Sequence, residues 1–393
     1  MSGKNKRILI ITERYAPEPF LVTDLAETLV KKGHKVTVIT QIPSYPGDKI
    51  YKGYSNRNIT ENLNGVRVVR FRTVTGYSKS LFRKILNYLL FMVREIWYSF
   101  KESGAVDTVF VYHTGPLTQA VAIIPIKLFR KLPVTIWTQD VWPDAVFAYG
   151  FPNKGVFAIL LKKFVKFIYL FCDHIFVTSP GFIKRLEPYV KDKNIQYVPQ
   201  WIPDLVLKKE PHQFSFFKNK VKFIFTGNIG SMQALDLVIK AFSKVKYNNI
   251  ILYILGDGNY KEKYEKLANE LDADNIIFLG KVSQEKVLSC INECDYTVLS
   301  LSNNKLINLT IPAKFQTYLA GGKPILAINN GEVASYINEL KIGISTNYNI
   351  ESIINGIIEI QKLDSNVVKK RMESLLIEKF NKEKIIDQMI RIM

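Results

Sequence analysis

Arg7–Thr40, RILIITERYAPEPFLVTDLAETLVKKGHKVTVIT, decides the fold. A short apolar run, a proline-containing loop, a helix-period segment closing at Gly33 and a second β-branched run make a βαβ unit on a parallel sheet. The alternation continues, with strands predicted at Val66–Arg72, Thr108–Tyr112, Val134–Thr138, His174–Thr178 and Gln196–Val198. It pauses at 199–220, PQWIPDLVLKKEPHQFSFFKNK, where prolines and charges mark a domain boundary. It restarts with VKFIFTG (221–227), a helix over about 233–245, IILYILGDG (250–258), IIFLGKV (276–282), YTVLSL (296–301) and PILAI (324–328). Residues 350–393 are helical by period and charge. The expected fold is α/β: two doubly wound Rossmann-like domains facing a central cleft. They span 1–200 and 201–375, and a C-terminal helix over 376–393 can pack back on the first.

A chain of 393 residues is too long for one ordinary core, and its 47% hydrophobic and 23% charged content is that of a globular protein. No stretch reads as a membrane span. The longest apolar candidate, Thr108–Ile126, is interrupted by His113, Gly115, Pro116, Gln119 and Pro125. The N-terminus passes from basic residues into a short strand instead of a signal-peptide core, so a cytoplasmic location is expected. Cys172, Cys290 and Cys294 are too few for a disulfide framework and read as core thiols, with no metal site expected.

The formal charge of +19 is uneven: residues 1–200 carry a surplus of 15 basic residues and 201–393 a surplus of 4. A basic surface attracts nucleic acid or an anionic membrane leaflet. In SKSLFRKILNYLLFMVREIWYSF (78–100) and KGVFAILLKKFVKFIYLF (154–171), basic residues are interleaved with dense aromatic and aliphatic ones, the pattern of helices at a lipid interface. Core helices with solvated basic edges are the alternative. The charge bias favours the membrane.

Ligands of doubly wound sheets bind beyond the carboxyl ends of strands. In the second half those positions are Thr226-Gly227-Asn228-Ile229-Gly230, Gly256-Asp257-Gly258, Gly280-Lys281-Val282 and the Ser302–Ile311 loop. The last leads into TIPAKFQTYLAGGKP (310–324), a helix start with Thr310 as cap, Pro312 in the first turn and Lys314 among free N–H groups, an arrangement suited to phosphate. An ordinary helix with an exposed lysine would read the same. Glycines allow close approach of backbone to ligand, and a helix starting soon after Gly230 offers a second N-terminus. Together these loops suggest a nucleotide diphosphate held by backbone amides and Lys314. In the first half Glu13-Arg14-Tyr15, Tyr45-Pro46-Gly47, His113-Thr114-Gly115 and Gln139–Asp144 occupy equivalent places. Asp140 and His113 are the functional candidates, against a helix cap and a neutral core histidine respectively.

Through these motifs the chain resembles the retaining GT-B glycosyltransferases of family 4 (group 1) over nearly its whole length. The resemblance rests on RILIITERYAPEP, LAETLVKKGHKVTVIT, PSYPGDKIYKGY, TQDVWPDAVFAYGF, FTGNIGSMQALDLVIKAF, ILGDG, FLGKVSQEKV and IPAKFQTYLAGGKPI. It is strongest to the bacterial O-antigen and capsule branch, including transferases of N-acetylfucosamine type. It implies a donor-binding second domain, an acceptor-binding first domain and an acceptor carried on undecaprenyl diphosphate. Two glutamates usual in the family are absent, their places taken by Leu309 and Thr317, and the family's Arg and Lys in the first donor-domain loop are replaced by Asn228 and Gln233. A glycine pair in the first loop is replaced by Phe20-Leu21.

The resulting expectation is a metal-independent, cofactor-free retaining hexosyltransferase moving an N-acetylated hexosamine or deoxy-amino sugar from a UDP-sugar to a polyprenyl-diphosphate-linked glycan. It would work peripherally on the inner face of the plasma membrane, with no nucleic acid as partner. Lys314, Asp140 and His113 form the catalytic set. Gly227, Asn228, Gly230, Gln233, Gly256, Asp257, Gly258, Lys281, Val282, Gln316, Thr317 and Glu332 form the donor set. A UDP-sugar 2-epimerase of the same architecture is the alternative, and a basic nucleic-acid-binding protein the third reading.

Overall fold

The computed structural model describes residues 5–45, 49–76, 80–148, 150–190, 195–245 and 249–393. The chain divides into two compact units, Met1–Val198 with Glu383–Met393, and Pro199–Lys382. Pro46, Gly47, Asp48, Ser78, Lys79 and Tyr149 of the sequence motifs lie outside the described residues.

The first unit is built on eight strands: β1 (Arg7–Ile11), β2 (Lys35–Gln41), β3 (Ile59–Leu63), β4 (Val66–Phe71), β5 (Thr108–His113), β6 (Val134–Thr138), β7 (His174–Val177) and β8 (Ile195–Tyr197). Their order is β3-β4-β2-β1-β5-β6-β7-β8, all parallel except the β3–β4 hairpin. Parallel strands are covered on both faces, so they read as continuous apolar runs, and Ile8 to Ile11 are all fully buried. α1 (Leu21–Lys31) packs Val22, Leu25, Ala26 and Leu29 inward, and Gly33 at φ +90° lets the chain turn into β2. α2 (Leu81–Glu102) and α3 (Gly155–Tyr169) are the long helices of this unit.

The second unit carries a six-stranded parallel sheet: β9 (Val221–Asn228), β10 (Ile250–Asp257), β11 (Ile276–Gly280), β12 (Tyr296–Ser300), β13 (Ile325–Ile328) and β14 (Gly343–Thr346). Its order, β11-β10-β9-β12-β13-β14, is that of a doubly wound nucleotide-binding sheet. The helices used below are α4 (Leu235–Lys244), α5 (Ala313–Gly321), α6 (Glu332–Leu340) and α7 (Ser365–Lys379). Phe223, Phe225, Val238, Phe242, Leu252 and Val298 anchor the core.

The helix expected over 376–393 is two helices that part company. α7 buries Val368, Met372 and Leu375 in the second unit, while α8 (Lys382–Ile392) lies in the first. The Lys32 ammonium pairs with Glu383 at 2.5 Å and Asp387 at 2.8 Å, and Lys6 Nζ donates to the Ile390 carbonyl at 3.0 Å. Return to the first unit therefore begins at Glu383, because the preceding turns bury their apolar side in the second.

Candidate active site

In a sheet of this order the crevice opens where strand direction of growth reverses, between β9 and β12. Their pairing stops at Phe223–Tyr296 and Ile224–Thr297. Beyond it the Tyr318 hydroxyl of α5 accepts the Thr226 N–H at 2.9 Å and donates to the Val298 carbonyl at 3.0 Å, so a phenol bridges strands that no longer bond to each other. The next residues of β9, Gly227 and Asn228, are exposed. Sequence reading missed Tyr318, since a tyrosine at a helical core position carries no signal of this bridge.

Lys314 stands at this opening. A Cβ on Gly227, which has φ +120°, would lie 3.7 Å from the lysine Cε and Nζ. The half-buried ammonium donates to Gln233 Oε1 at 2.5 Å and sits 4.0 Å from the Phe225 ring centroid. Among the described residues no carboxylate forms an ion pair with it. Burial pulls its pKa down to about 7. An uncompensated cation in this setting gains from any anion that reaches it. Thr310 does not cap the helix: Pro312, extended at φ −73° and ψ 148°, is the residue before Ala313, and Thr310 Oγ1 instead donates back to the Leu306 carbonyl at 3.2 Å. The preceding 3-10 turn, Ile307–Leu309, takes that hydroxyl out of reach.

The donor-side loops close on one another here. Ile229 N–H donates to the Asp257 carbonyl at 2.8 Å, and Asp257 Oδ1 accepts the Gly258 N–H at 2.9 Å. A Cβ on Gly256 would come within 1.9 Å of Gly227 O, and one on Gly258 within 2.4 Å of Ile229 O. These glycines thus admit the neighbouring loop's backbone, a packing role the sequence reading did not assign them. Gly230 leaves room for the Asn228 amide. Helix α4 starts at Leu235, later than expected, because Ala234 takes a left-handed conformation at φ +46° after a 3-10 turn over Ser231–Gln233; that turn delivers Gln233 to Lys314.

The Ser302–Ile311 loop is tied in at both ends. Ser302 N–H donates to the Met232 carbonyl at 2.8 Å, and Asn308 Oδ1 accepts from Tyr348 OH at 3.0 Å and Asn329 Nδ2 at 3.3 Å. A Cβ on Gly331 would strike the Asn308 carbonyl at 1.8 Å, so the turn that opens α6 at Glu332 lies against this loop. Other expected donor residues are less engaged. Gln316 is buried, its amide oriented to donate to the Pro312 and Ala313 carbonyls at 2.9 and 3.1 Å, so it braces the helix start. Thr317 Oγ1 donates to the Ala313 carbonyl at 3.3 Å. Lys281 and Val282 follow β11, separated from β9 by β10, and share no hydrogen bond or ion pair with the Lys314 cluster among the described residues.

In the first unit the reversal falls between β1 and β5. After β1, Arg14 is buried with Glu13 at 3.1 Å and Glu18 at 3.3 Å. Glu13 N–H donates to Gln119 Oε1 at 3.1 Å, and Glu18 Oε1 accepts the Ser44 and Tyr45 N–H groups at 2.8 and 2.7 Å. Burial raises the Glu13 carboxyl and Arg14 opposes that rise. Glu18 and Gln119 escaped sequence reading because the backbone N–H groups they accept, those of Ser44 and Tyr45 and of Glu13, lie 26, 27 and 106 residues away in the chain. After β6, Asp140 Oδ2 accepts the Gly115 N–H at 3.0 Å, joining the loops after β5 and β6. Solvent reaches Asp140, yet the protein massed around it raises its carboxyl above the usual range. His113 is different. It is fully buried, its Nδ1 3.4 Å from Thr138 Oγ1, and burial lowers its pKa to about 3. With no surface it cannot touch an acceptor directly, so it supports the strand end carrying Thr114 and Gly115. Among the described residues no cluster of His, Cys, Asp and Glu is placed to hold a metal ion.

Comparison with known proteins matches each half separately. Residues 20–204 fit the family described as Glycosyltransferase Family 4, and residues 208–391 the family described as Glycosyl transferases group 1. The chain is 23% identical over 348 residues to a protein described as a colanic acid biosynthesis glycosyl transferase, WcaI of Escherichia coli K12, covering 81% of this chain and 83% of that one. It is 25% identical over 215 residues to the glycosyltransferase WbjE of Pseudomonas aeruginosa, covering 52% of this chain and 54% of WbjE. Among solved structures it resembles WaaG, a glycosyltransferase involved in lipopolysaccharide biosynthesis, at TM-score 0.65 and 14% identity over 97% of this chain and 98% of WaaG. It also resembles Anabaena HepE in complex with UDP, at TM-score 0.64 and 11% identity over 98% of both chains. At those identities the structures speak for the GT-B fold.

Proposed function

We propose, for a chain whose halves are those of a group 1, family 4-like glycosyltransferase, that it moves a sugar from a UDP-sugar to a lipid-linked glycan during bacterial surface polysaccharide synthesis. The observation that carries the donor assignment is Lys314: a half-buried cation at the β9/β12 opening with a carboxamide and a ring as neighbours and, among the described residues, no carboxylate paired with it. The diphosphate would take the place that Gln233 holds beside the ammonium, with the N-terminal amides of α5 and the loop through Gly230 assisting. As the anomeric C–O bond to phosphate breaks, charge grows on the leaving oxygen, and a preorganised cation stabilises it. The acceptor hydroxyl adds to the same face, its proton passing to the departing phosphate, so configuration is retained without an enzyme nucleophile or metal. The sugar is an N-acetylated hexosamine or deoxy-amino sugar in this reading, chosen by the Ser302–Ile311 loop and Glu332.

The acceptor, a polyprenyl-diphosphate-linked glycan, would meet the loops after β1, β5 and β6. Asp140 orients it, and His113 acts behind the strand end as a positioning residue. The basic, aromatic character of the first half favours work at the inner membrane face. Both family matches favour transfer over the epimerase alternative. A panel of UDP-, GDP- and TDP-sugars offered with synthetic lipid-linked acceptors, read by mass spectrometry, tests the proposal. Acceptor gaining one sugar with release of UDP is expected; epimer formed from UDP-sugar alone, or transfer only from another nucleotide, would contradict it.

A further inference from the structure

Two aromatic rings stand at the carboxyl ends of β1 and β2. Phe20, after β1, and Tyr45, after β2, meet edge to face with centroids 5.2 Å apart and planes at 79°. Tyr45 is 45% exposed and Phe20 half-buried. Phe20 also holds the position before α1, extended at φ −111° and ψ 142°, where a side-chain oxygen would cap the helix; a phenyl ring cannot. A single exposed aromatic needs no explanation. A braced pair on the strand ends, where ligands of such sheets bind, does.

The brace is the buried charge set beneath. Glu18 Oε1, paired with Arg14 at 3.3 Å, accepts the Tyr45 N–H at 2.7 Å, and the Glu18 carbonyl accepts the Phe20 N–H at 2.8 Å. One residue therefore anchors the backbone of both rings. The Arg14 guanidinium lies 5.6 Å from the Tyr45 ring centroid, within cation–π range. Tyr51 closes the group: its N–H donates to the Pro43 carbonyl at 3.1 Å, and its phenol is near enough to Glu18 and Arg14 for both charges to act on it. Rings held in this way have little freedom left to lose when a ligand arrives.

The same contacts lead to the loops after β5 and β6. Glu13 pairs with Arg14 at 3.1 Å, and its Oε2 lies 3.3 Å from where a Cβ on Gly115 would stand. The Gly115 N–H in turn donates to Asp140 at 3.0 Å. The aromatic pair and Asp140 thus belong to one connected set at one sheet edge.

Chemistry identifies the ligand. Two rings at nearly a right angle make an apolar corner. A pyranose carries C–H groups on one side, which are drawn to the negative face of an aromatic ring, while its hydroxyls remain in water. A nucleobase also stacks, but its edge needs hydrogen-bond partners, and the Ser44 and Tyr45 N–H groups of this loop are taken by Glu18. A protein partner would need about 800 Å² on each side, far more than two rings supply.

We propose that Phe20 and Tyr45 form a stacking subsite for a pyranose ring of the acceptor glycan. Stacking stands on the two rings; that the sugar is part of an acceptor rests on the proposed transferase reading.

Saturation-transfer NMR with a panel of methyl pyranosides, and kinetics with synthetic lipid-linked acceptors, test it on the full chain. Ring C–H protons of at least one pyranoside are expected to receive saturation from the wild-type protein, and to lose most of it in Phe20→Ala and in Tyr45→Ala. Each variant should raise the acceptor KM about tenfold while the KM for the UDP-sugar and the rate at saturating acceptor stay as in wild type. Tyr45→Trp keeps a stacking face and should restore the acceptor KM, which separates lost stacking from lost folding. Wild-type acceptor KM in both alanine variants, a rise in donor KM in its place, or pyranoside signals independent of both rings would overturn the subsite. So would uridine protons whose saturation both variants abolish. Absence of transfer to any acceptor, with ring-dependent pyranoside signals intact, would sink the enzymatic reading and leave the stacking subsite standing.

Discussion

The two sheet edges treat charge in opposite ways. After β1, the Arg14 guanidinium is enclosed by Glu13 and Glu18, and the same Oε1 atoms that face it also accept Gln41 Nε2 and the Ser44 and Tyr45 N–H groups. After β9, Lys314 has a carboxamide and an aromatic ring, and its charge is unanswered. A cation paired with two carboxylates fixes loops and has its charge answered within the protein. An open cation is unfavourable in the empty protein and favourable once an anion arrives, which is why the donor assignment rests on the second edge and the acceptor loops owe their shape to the first.

Removing each cation should therefore have opposite consequences. Arg14→Met leaves two carboxylates buried without their partner and is expected to lower stability by about 3–5 kcal/mol, read by urea unfolding; a loss within error of zero would erase the contrast. Lys314→Met should leave the unfolding midpoint unchanged or higher, because a desolvated charge is removed. Its transfer rate should fall about 10²–10³-fold, the range for a lost stabiliser of developing negative charge. Full activity in a folded Lys314→Met protein would break the comparison from the other side.

Glu95 sharpens it. Both of its oxygens are buried and, among the described residues, without a hydrogen-bond partner, and burial, followed by the nearby Glu13 charge, holds its carboxyl well above the usual range. The folded protein keeps the proton where the unfolded chain would release it, so wild-type stability should fall as pH rises above the unfolded carboxylate value and through the folded one. Glu95→Leu should flatten that slope and raise stability near neutral pH by about 1–2 kcal/mol. A steeper slope in the variant would show that Glu95 is charged and paired.

Most of the fold was legible because parallel strands must be apolar on both faces, and runs such as Ile8–Ile11 and Ile250–Leu255 advertise that. The strands that escaped are peripheral. β3, ITENL, is half polar because it closes the sheet's edge, although Asn64-Gly65, both at positive φ, is a hairpin signal that was there to be read. β14, GIST, is too short to show a period. The strand-end loops of the candidate site were legible through the same rule. Their partners were not: Lys314 and Gln233 are 81 residues apart, Tyr318 bridges two strands from a third element, and the glycines serve loop-on-loop packing. The period of α2 told that it had two faces, but only its attachment through Asn87 told which one points inward.

The open cation makes one measurement decisive. With its pKa near 7 in the empty protein, Lys314 is partly deprotonated above neutrality, and a diphosphate that pairs with it must restore the proton. Titration calorimetry of a UDP-sugar in buffers of different ionisation enthalpy should show proton uptake that is small at pH 6 and approaches one proton per site by about pH 8.5, with affinity weakening over the same range. In Lys314→Met both the uptake and the pH dependence should vanish. Tight binding with no proton uptake in the wild-type protein, and the same affinity in the variant, would contradict the claim that Lys314 holds the donor's diphosphate.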